Sequence, residues 1–342
     1  MKKYLLATAF VFMSGSVWAE GNTNIIGGDC SKTTDDHCSW SLNTTTGELI
    51  ISGTGEMADY EGKTIDGKQE YGYYYTSGKT SYSSAPWGTY QVNSITIENG
   101  IENIGYYAFA GTNISTIDFP PSVTSLGQYS FFGSKIQSVE IPETITSFSG
   151  GEFEKCFELA EVVLPENMTT IPVWMFGQSG LEDVDIPDMV GSIHAGAFTQ
   201  TKIESLVIPE SVTKISKMIF TDGSGGGTAP YLQHLYCTAV QMEKCEEALQ
   251  TAKKDFKPTH YEKSGNDYLV YDEKGNVVGK YASAMNLNKG VATETYKYDS
   301  AGHLVSIFDG NGQRTWGKKI YTVEEANKVA KPTGNTFRIR YR

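Results

Sequence analysis

The sequence contains little of what enzymes and metalloproteins use. Of its 342 residues, 5 are His and 5 are Cys, and the His residues show no spacing suited to a shared metal ion. Neither His-Glu-x-x-His nor Gly-x-Ser-x-Gly occurs, and there is no Cys-x-x-Cys pair. We therefore expect no catalytic residues, no metal and no cofactor, and hence not an enzyme. Long amphipathic helical patterns are also scarce, which favours a mainly β fold with short turns and helices.

Long apolar runs are almost absent. The one candidate, Leu5 to Met13, is well short of the roughly 20 residues that a membrane-spanning helix needs. It follows the positively charged start Met1-Lys2-Lys3 and precedes the small-residue site Val17-Trp18-Ala19. This pattern predicts a signal peptide over residues 1–19, cleaved after Ala19, and a secreted or cell-surface protein without a transmembrane segment. A retained membrane anchor is the alternative interpretation.

Positive charge is scarce in the first two thirds of the chain. Residues 20–250 hold 10 Lys and Arg against 30 Asp and Glu, a balance of −20, whereas residues 251–342 hold 16 against 10, a balance of +6. A phosphate backbone requires a basic face, so the acidic part is not expected to bind nucleic acid. The asymmetry indicates two modules that have different partners or that attract each other.

What the chain does contain is a repeat. The pattern apolar-x-x-apolar-x-apolar-Pro, followed by apolar residues at three-residue steps and then Phe, occurs six times, and only the first copy lacks its Pro (Glu98). Its copies begin 22 or 23 residues apart, at Val92, Ile114, Ile136, Leu159, Leu181 and Ile203. A fixed period of this length is typical of a solenoid, in which each unit buries its apolar face against its neighbours. We expect a leucine-rich repeat solenoid of about six 22-residue units plus caps.

Each unit can be interpreted physically. Ile117 and Phe119, two residues apart, should point to the interior from one short strand, which Pro120 ends because it has no N–H to donate. The conserved spacing to Phe131 predicts a buried ring in every coil. Stacked coils should place equivalent residues about 4.8 Å apart, giving parallel sheets with ladders of Ile, Val and Phe.

The residue between the two strand apolars should face outward and is often acidic. The slot contains Thr96, Asp118, Glu140, Val163, Asp185 and Val207, with Glu161 and Asp183 beside it. The candidate binding residues on this face are Asp118, Glu140, Glu161, Asp183 and Asp185. Neighbouring carboxylates repel one another, so the face is expected to be mildly unfavourable for folding. Two interpretations stay open: a solvated acidic surface, and a docking face for a basic partner or divalent cations.

A second candidate surface is a polar, Tyr-rich insertion that contains Tyr73, Tyr74 and Tyr75. Tyr combines a large contact area with few rotors and a polar tip, so it is favoured at binding surfaces. These rings could grip a protein or stack on sugar rings. A solvent-exposed insertion without a binding role is the alternative.

The cysteines form two close pairs at the ends of the array. In an oxidising compartment Cys30 with Cys38, and Cys237 with Cys245, are candidate disulfides that would each close a short loop. Cys156 lies in the one 23-residue unit, where we expect a small buried side chain.

Two parts of the sequence resemble known protein families. The runs Trp40-Ser-Leu, Leu49-Ile-Ile-Ser-Gly-Thr-Gly-Glu-Met, Ala85-Pro-Trp87 and Ile104-Gly-Tyr-Tyr-Ala-Phe109, with the Ile-Pro-x-Ser/Thr-Val/Ile-Thr-x-Ile units, resemble the BspA-like leucine-rich repeat proteins over about residues 38–237. This resemblance implies an exported or surface protein involved in adhesion to host proteins and in co-aggregation, with no catalytic residues to carry over. Further on, Tyr271-Asp-Glu-Lys-Gly275 and Tyr298-Asp-Ser-Ala-Gly-His-Leu304 resemble the YD repeats of the RHS family, which implies Asp-x-x-Gly turns between short strands.

The predicted organisation has four parts. These are a signal peptide (1–19), an N-terminal β cap with the Tyr-rich insertion (20–91), the solenoid with its C-terminal cap (92–250), and a small, basic, β-hairpin-rich module (251–342) with a short helix over 322–330. The last residues, Phe337 to Arg342, are interpreted as a strand with Arg on one face, either a guarded edge strand or an attachment to an anionic cell-surface polymer.

Three functions follow from these patterns. The first is an adhesin-like protein that binds a macromolecule of a host or a neighbouring cell, an extracellular protein or glycan, through the outer strand face and the tyrosines. The second is a carbohydrate-binding or carbohydrate-active secreted protein that uses the Tyr-rich cap and the acidic face to bind a glycan. The third is a structural cell-wall component held by the basic tail.

Overall fold

The computed structural model describes residues 24–63, 82–221, 229–299 and 302–316. The predicted signal peptide, the insertion with Tyr73, Tyr74 and Tyr75, the predicted helix 322–330 and the final basic strand all lie outside these residues. Within them no helix is long and apolar enough to cross a membrane. The strands and helices, in chain order, are β1 (Ile25–Asp29), β2 (His37–Asn43), β3 (Glu48–Glu56), β4 (Gly62–Lys63), β5 (Tyr82–Ser83), β6 (Ser94–Ile97), β7 (Ile101–Ile104), β8 (Ser125–Leu126), β9 (Ser138–Glu140), β10 (Ser147–Phe148), β11 (Glu161–Val163), β12 (Thr170–Ile171), β13 (Ser192–Ile193), β14 (Ser205–Val207), β15 (Lys214–Ile215), β16 (His234–Cys237), α1 (Met242–Thr251), β17 (Thr259–Ser264), β18 (Asp267–Tyr271), β19 (Val277–Tyr281), α2 (Ala284–Asn288), β20 (Glu294–Tyr298), β21 (Leu304–Asp309) and β22 (Arg314–Trp316).

The N-terminal cap is an antiparallel sheet, β1-β2-β3, that covers the open end of the repeat array. In β2 the side chains of Cys38, Trp40 and Leu42 are buried while Ser39 is exposed, which is the alternation of a strand with one face on a core. The long strand β3 pairs in parallel with both β6 and β7. The β2–β3 hairpin thus provides backbone hydrogen-bond partners for both strands of the first coil.

Most coils contribute two short strands to two parallel stacks. One stack contains the pairs β9–β11 and β14–β16, and the other contains β7–β8–β10 and β12–β13–β15. Register follows the repeat, so that Ile171 lies opposite Ile193, and Ile193 opposite Ile215. Equivalent residues of successive coils therefore meet, as the sequence period predicts.

The first strand is missing from two coils, contrary to the strand predicted in each. Residues 114–119 and 181–187 have no strand hydrogen-bonding pattern. In the second of these coils the Asp183 side chain accepts a hydrogen bond from the Val184 N–H (2.9 Å), which takes that donor away from a ladder. This competition between short polar side chains and the backbone is why Asp is depleted in strands.

The predicted Phe of each coil forms a buried ladder. Phe131 and Phe153 stack with ring centroids 5.5 Å apart and an interplanar angle of 8°, and Phe153 and Phe176 follow at 6.1 Å and 9°. At the N-terminal end the ladder continues through Phe109 to Trp87, whose indole N–H donates to the Ala108 carbonyl (2.8 Å). The aromatic column thus runs from the cap through the array.

Two carboxyl groups lie buried beside this ladder. Glu152 is fully buried, and its Oε1 accepts a hydrogen bond from the Gly150 N–H at 2.5 Å. Its Oε2 has no hydrogen-bond partner among the described residues. Burial raises the pKa of Glu152 to about 7, and burial likewise raises the pKa of Glu154 to about 7 against the opposing charge of Lys155.

The C-terminal cap consists of β16 and α1. The sequence of residues 239–251 predicts a helix, because Val240, Met242, Ala248 and Leu249 are apolar among Glu and Lys residues. The helix α1 begins only at Met242, and Val240 is exposed. Gln241 explains the later start, because its side-chain amide donates to the Pro209 and Val212 carbonyls (2.6 and 2.9 Å) and so fixes the residue before the helix against the last coil.

Beyond α1 the solenoid sheet continues without a break. Strand β16 pairs in parallel with β17, and antiparallel hairpins then extend the sheet through β22. Hydrogen bonding across the sheet therefore crosses the predicted boundary at residue 250. Three of the hairpin turns have the same construction: Asp272, Asp299 and Asp309 each accept backbone N–H bonds from the residue four further on.

Candidate interaction surface

The candidate surface is the outward side of the first strand stack, here called the acidic face and defined by Asp118, Glu140, Glu161, Asp183 and Asp185. Asp118, Glu140 and Glu161 are exposed, as the strand pattern predicts. The sheet register separates two of these carboxylates from each other, because Glu140 lies opposite Val163 and Glu161 lies opposite Ser138. In this strand pair no carboxylate is directly opposite another, which reduces the repulsion that the sequence alone suggested.

The acidic face also offers an apolar contact. The Val163 side chain, at the centre of the face, is 58% exposed. A valine flanked by carboxylates in a rigid sheet is suited to a partner that presents cations around an apolar group.

At its C-terminal end the outward slot is not exposed, which is a correction to the sequence interpretation. Val207, predicted to face outward, is 3% exposed because it packs in a second apolar cluster with Tyr261, Tyr268 and Leu287. The Tyr261 hydroxyl donates to the Ile208 carbonyl at 2.8 Å. The hairpin module therefore covers the outer face of the sixth coil.

Charged contacts extend this cover onto the fifth coil. Lys263 of β17 forms an ion pair with Asp188. Lys289 lies 3.7 Å from the Asp183 carboxylate, and the Asn288 amide donates to Asp183 Oδ1 at 3.4 Å. Asp183 is thus engaged within the chain, unlike the exposed Asp118 and Glu140.

Asp185 lies between the covered and the uncovered parts of the face. Its pKa is raised, first because neighbouring protein desolvates the carboxyl and then because the carboxylates of Glu166, Asp183 and Asp188 lie nearby. Lys263 acts in the opposite direction. An incoming cation would relieve this repulsion, so the site favours a basic group.

The cysteine pairs differ in their state. Cys237 and Cys245 form a disulfide between β16 and α1. Cys30 and Cys38, also predicted to be bonded, are free buried thiols. The two side chains nevertheless contact each other, and this contact is the largest cause that raises the pKa of the Cys30 thiol. The Cys38 thiol also donates to the carbonyl oxygens of Thr54 and Glu56 (3.4 and 3.3 Å).

The six-fold repeat with its ladder geometry can be compared with known proteins. Residues 82–201 and 175–225 match the family model described as the BspA type leucine rich repeat region, in six copies. This part of the chain is similar to the BspA type leucine rich repeat region. No curated protein matches the chain.

Two solved structures that are similar to the chain are described as leucine-rich proteins. One is a leucine-rich repeat protein from Bacteroides ovatus (16% identity, TM-score 0.36, covering 61% of this chain and 65% of that one). Another is a leucine rich cell surface protein from Faecalibacterium prausnitzii (20% identity, TM-score 0.38, covering 73% of this chain and 61% of that one). In both cases the match spans less than two thirds of the other protein's length.

The sequence left open whether the two modules attract each other, and it did not locate the cover over the end of the acidic face. The alternating apolar residues Tyr261, Tyr268 and Val270 signalled strands with one buried face. They carried no information about which surface that face would contact, because the pairing of Tyr236 with Thr259 joins segments separated by the whole of α1.

Proposed function

We propose that this chain is an adhesin-like protein, exported and either secreted or held at the cell surface, that binds a basic segment of an extracellular protein. The binding surface is the uncovered part of the acidic face, around Asp118, Glu140, Glu161 and Val163. Export rests on the signal-peptide pattern of residues 1–19. A protein-interaction role is in keeping with the BspA-type repeats.

The observation that carries this proposal is that one end of the same face already holds basic ligands from within the chain. Lys289 approaches Asp183 of the acidic face, and Lys263 pairs with Asp188, which follows the face in the fifth coil. The intramolecular contact combines these cations with apolar packing on Val207. The uncovered coils repeat that combination of carboxylates around an exposed valine, so a lysine-bearing partner with an apolar side chain fits them in the same way.

The test uses the full chain, with a lysine-rich peptide as the defined probe and immobilised host matrix proteins as candidate ligands. The double variant Asp118→Asn/Glu140→Gln removes two exposed charges from the face. Exposed ion pairs contribute about 0.2–1 kcal/mol each, so we expect binding about tenfold weaker, with a smaller dependence on salt.

The matched control is Glu243→Gln/Glu246→Gln. These two exposed carboxylates lie on α1, away from the acidic face, and their removal changes the net charge by the same amount. Equal weakening in both double variants would show that only net charge matters. Unchanged binding in the Asp118/Glu140 variant would exclude the face as the binding surface.

A further inference from the structure

A cavity lies where the hairpin module meets the fifth and sixth coils. Its volume is about 520 Å³, within the range of small-molecule sites. Two repeat coils, the segment before β16 and the end of α2 contribute to its wall. Its wall includes Asp183, Lys202, Ser205, Tyr231, Asn288 and Lys289.

Three side chains of this wall have polar atoms without hydrogen bonds. Asp183 Oδ2, Ser205 Oγ and Asn288 Oδ1 are each buried and have no hydrogen-bond partner among the described residues. Ser205 is only 8% exposed. Buried polar groups in folded proteins are almost always satisfied, so three unsatisfied atoms around one cavity indicate a missing partner.

The repeat places two of these groups next to each other. Asp183 and Ser205 occupy the same slot of successive coils. No hydrogen bond joins Asp183 Oδ2 to Ser205 Oγ, because both atoms are without a hydrogen-bond partner among the described residues. One hydroxyl oxygen placed between them could donate to the Asp183 carboxylate and accept from the Ser205 hydroxyl.

The charges of the wall favour an uncharged ligand. Glu182, Asp183 and Glu204 contribute carboxylates, and Lys202 and Lys289 contribute ammonium groups. Lys202 lies 3.8 Å from Glu182 and Lys289 lies 3.7 Å from Asp183, so both ion pairs are longer than hydrogen bonds. The lysines repel a metal cation, and the carboxylates repel an anion. A neutral molecule with several hydroxyl groups can form hydrogen bonds with both kinds of side chain.

An aromatic ring completes the site. Tyr231 is 51% exposed at the cavity wall. An exposed ring beside carboxylate, amide and hydroxyl groups can pack against the C–H face of a pyranose while the polar groups bind its hydroxyls.

We propose that this cavity binds one neutral sugar unit, with Asp183, Ser205 and Asn288 holding its hydroxyl groups and Tyr231 packing against its ring. The site is separate from the uncovered acidic face and does not depend on the function proposed for that face. It also differs from the tyrosines at 73–75, which the sequence suggested as sugar contacts.

The test is saturation-transfer NMR on the full chain with D-glucose, D-galactose, D-mannose and N-acetyl-D-glucosamine as separate probes. We expect transfer to at least one of them, with a dissociation constant on the order of millimolar. Ser205→Ala and Tyr231→Ala should each weaken that binding about tenfold. Because the Ser205 hydroxyl has no hydrogen-bond partner among the described residues, the Ser205→Ala variant should have a melting temperature no lower than that of the parent protein.

The matched control is Ser138→Ala, which removes the hydroxyl of the equivalent slot in the third coil, away from the cavity. It should leave sugar binding unchanged, and so should Asp118→Asn/Glu140→Gln. Absence of transfer to all four sugars would overturn the proposal, as would transfer that Ser205→Ala and Tyr231→Ala leave unchanged. A change in the NMR spectrum of the protein on addition of CaCl2 alone, if Ser205→Ala abolishes it, would identify a cation site. That result would also overturn the proposal of a sugar site.

Discussion

The buried Glu152 should make the stability of the repeat array depend on pH. Its Oε1 accepts a hydrogen bond from the Gly150 N–H, and its Oε2 has no partner among the described residues. Backbone hydrogen bonds from Ser149, Gly150 and Glu152 lower its pKa, but burial outweighs them. Burial raises its pKa from 4.5 to about 7. A rise of this size corresponds to about 3 kcal/mol of difference between the protonated and the ionised forms.

The sign follows from proton linkage. Because the folded-state pKa is raised, the folded protein binds this proton more tightly than the unfolded chain does. Stability is highest below the unfolded pKa of 4.5 and falls as the pH rises towards 7. Above that pH the full penalty of about 3 kcal/mol is present, because Glu152 is ionised in both states.

The perturbation is Glu152→Gln, which keeps a hydrogen-bond acceptor for Gly150 and removes the charge. Near pH 4 the variant and the parent should have similar free energies of unfolding. At about pH 8 the variant should be more stable by about 3 kcal/mol. Urea unfolding followed by Trp fluorescence at a series of pH values measures the difference, because Trp87 lies in the aromatic column that begins at the cap.

The control is Glu143→Gln, which removes one exposed carboxylate of the same type and so reports the effect of net charge alone. The Glu154 carboxyl, which remains in both proteins, gives each of them a further dependence on pH that cancels in the comparison. A difference between Glu152→Gln and the parent that is below about 1 kcal/mol at high pH, or that does not change with pH, would refute the reasoning.

Three further predictions concern the ladder, the cap and the module. Phe153→Ala should lower the free energy of unfolding by about 3–5 kcal/mol in urea titrations, because the Phe153 ring is fully buried and stacks between Phe131 and Phe176. A loss near 1 kcal/mol would mean that the neighbouring rings close the cavity left by the substitution. Cys237→Ser/Cys245→Ser should lower the free energy of unfolding by about 2–3 kcal/mol, because the disulfide no longer closes a short loop. An unchanged melting curve would show that α1 stays in place without the disulfide. Lys263→Met should make the hairpin module more sensitive to protease, because Asp188 loses its cation; equal digestion rates for variant and parent would contradict this.

The sequence period predicted the stacking of the coils well, because the same local pattern of apolar residues occurs in each of the six units. Each apolar slot, such as Ile171 or Ile193, meets the same slot of the next coil, so the position of one unit determines the position of all. The rule fails where a local bond competes with it, as when the Asp183 side chain takes the Val184 N–H.

Contacts between modules could not be predicted in this way. The burial of Val207 depends on Tyr261 and Leu287, which are distant in sequence and belong to no repeat. Cysteine spacing likewise predicted that both pairs lie close together, and of the two pairs Cys237 and Cys245 are bonded whereas Cys30 and Cys38 are free. The resemblance of the hairpins to YD repeats and the role of the tyrosines at 73–75 stay predictions.

The distribution of charge explains why the module covers one end of the acidic face and not the rest. Its described cations at the contact, Lys263 and Lys289, reach Asp188 and Asp183 because β17 continues the sheet at that end. Coulomb attraction between exposed charges is screened within about 8–10 Å at physiological salt, so these lysines do little for Asp118 and Glu140, several strand spacings away. Asp118 and Glu140 form no ion pair with the described residues, so a basic partner that binds there would not have to displace a cation of this chain.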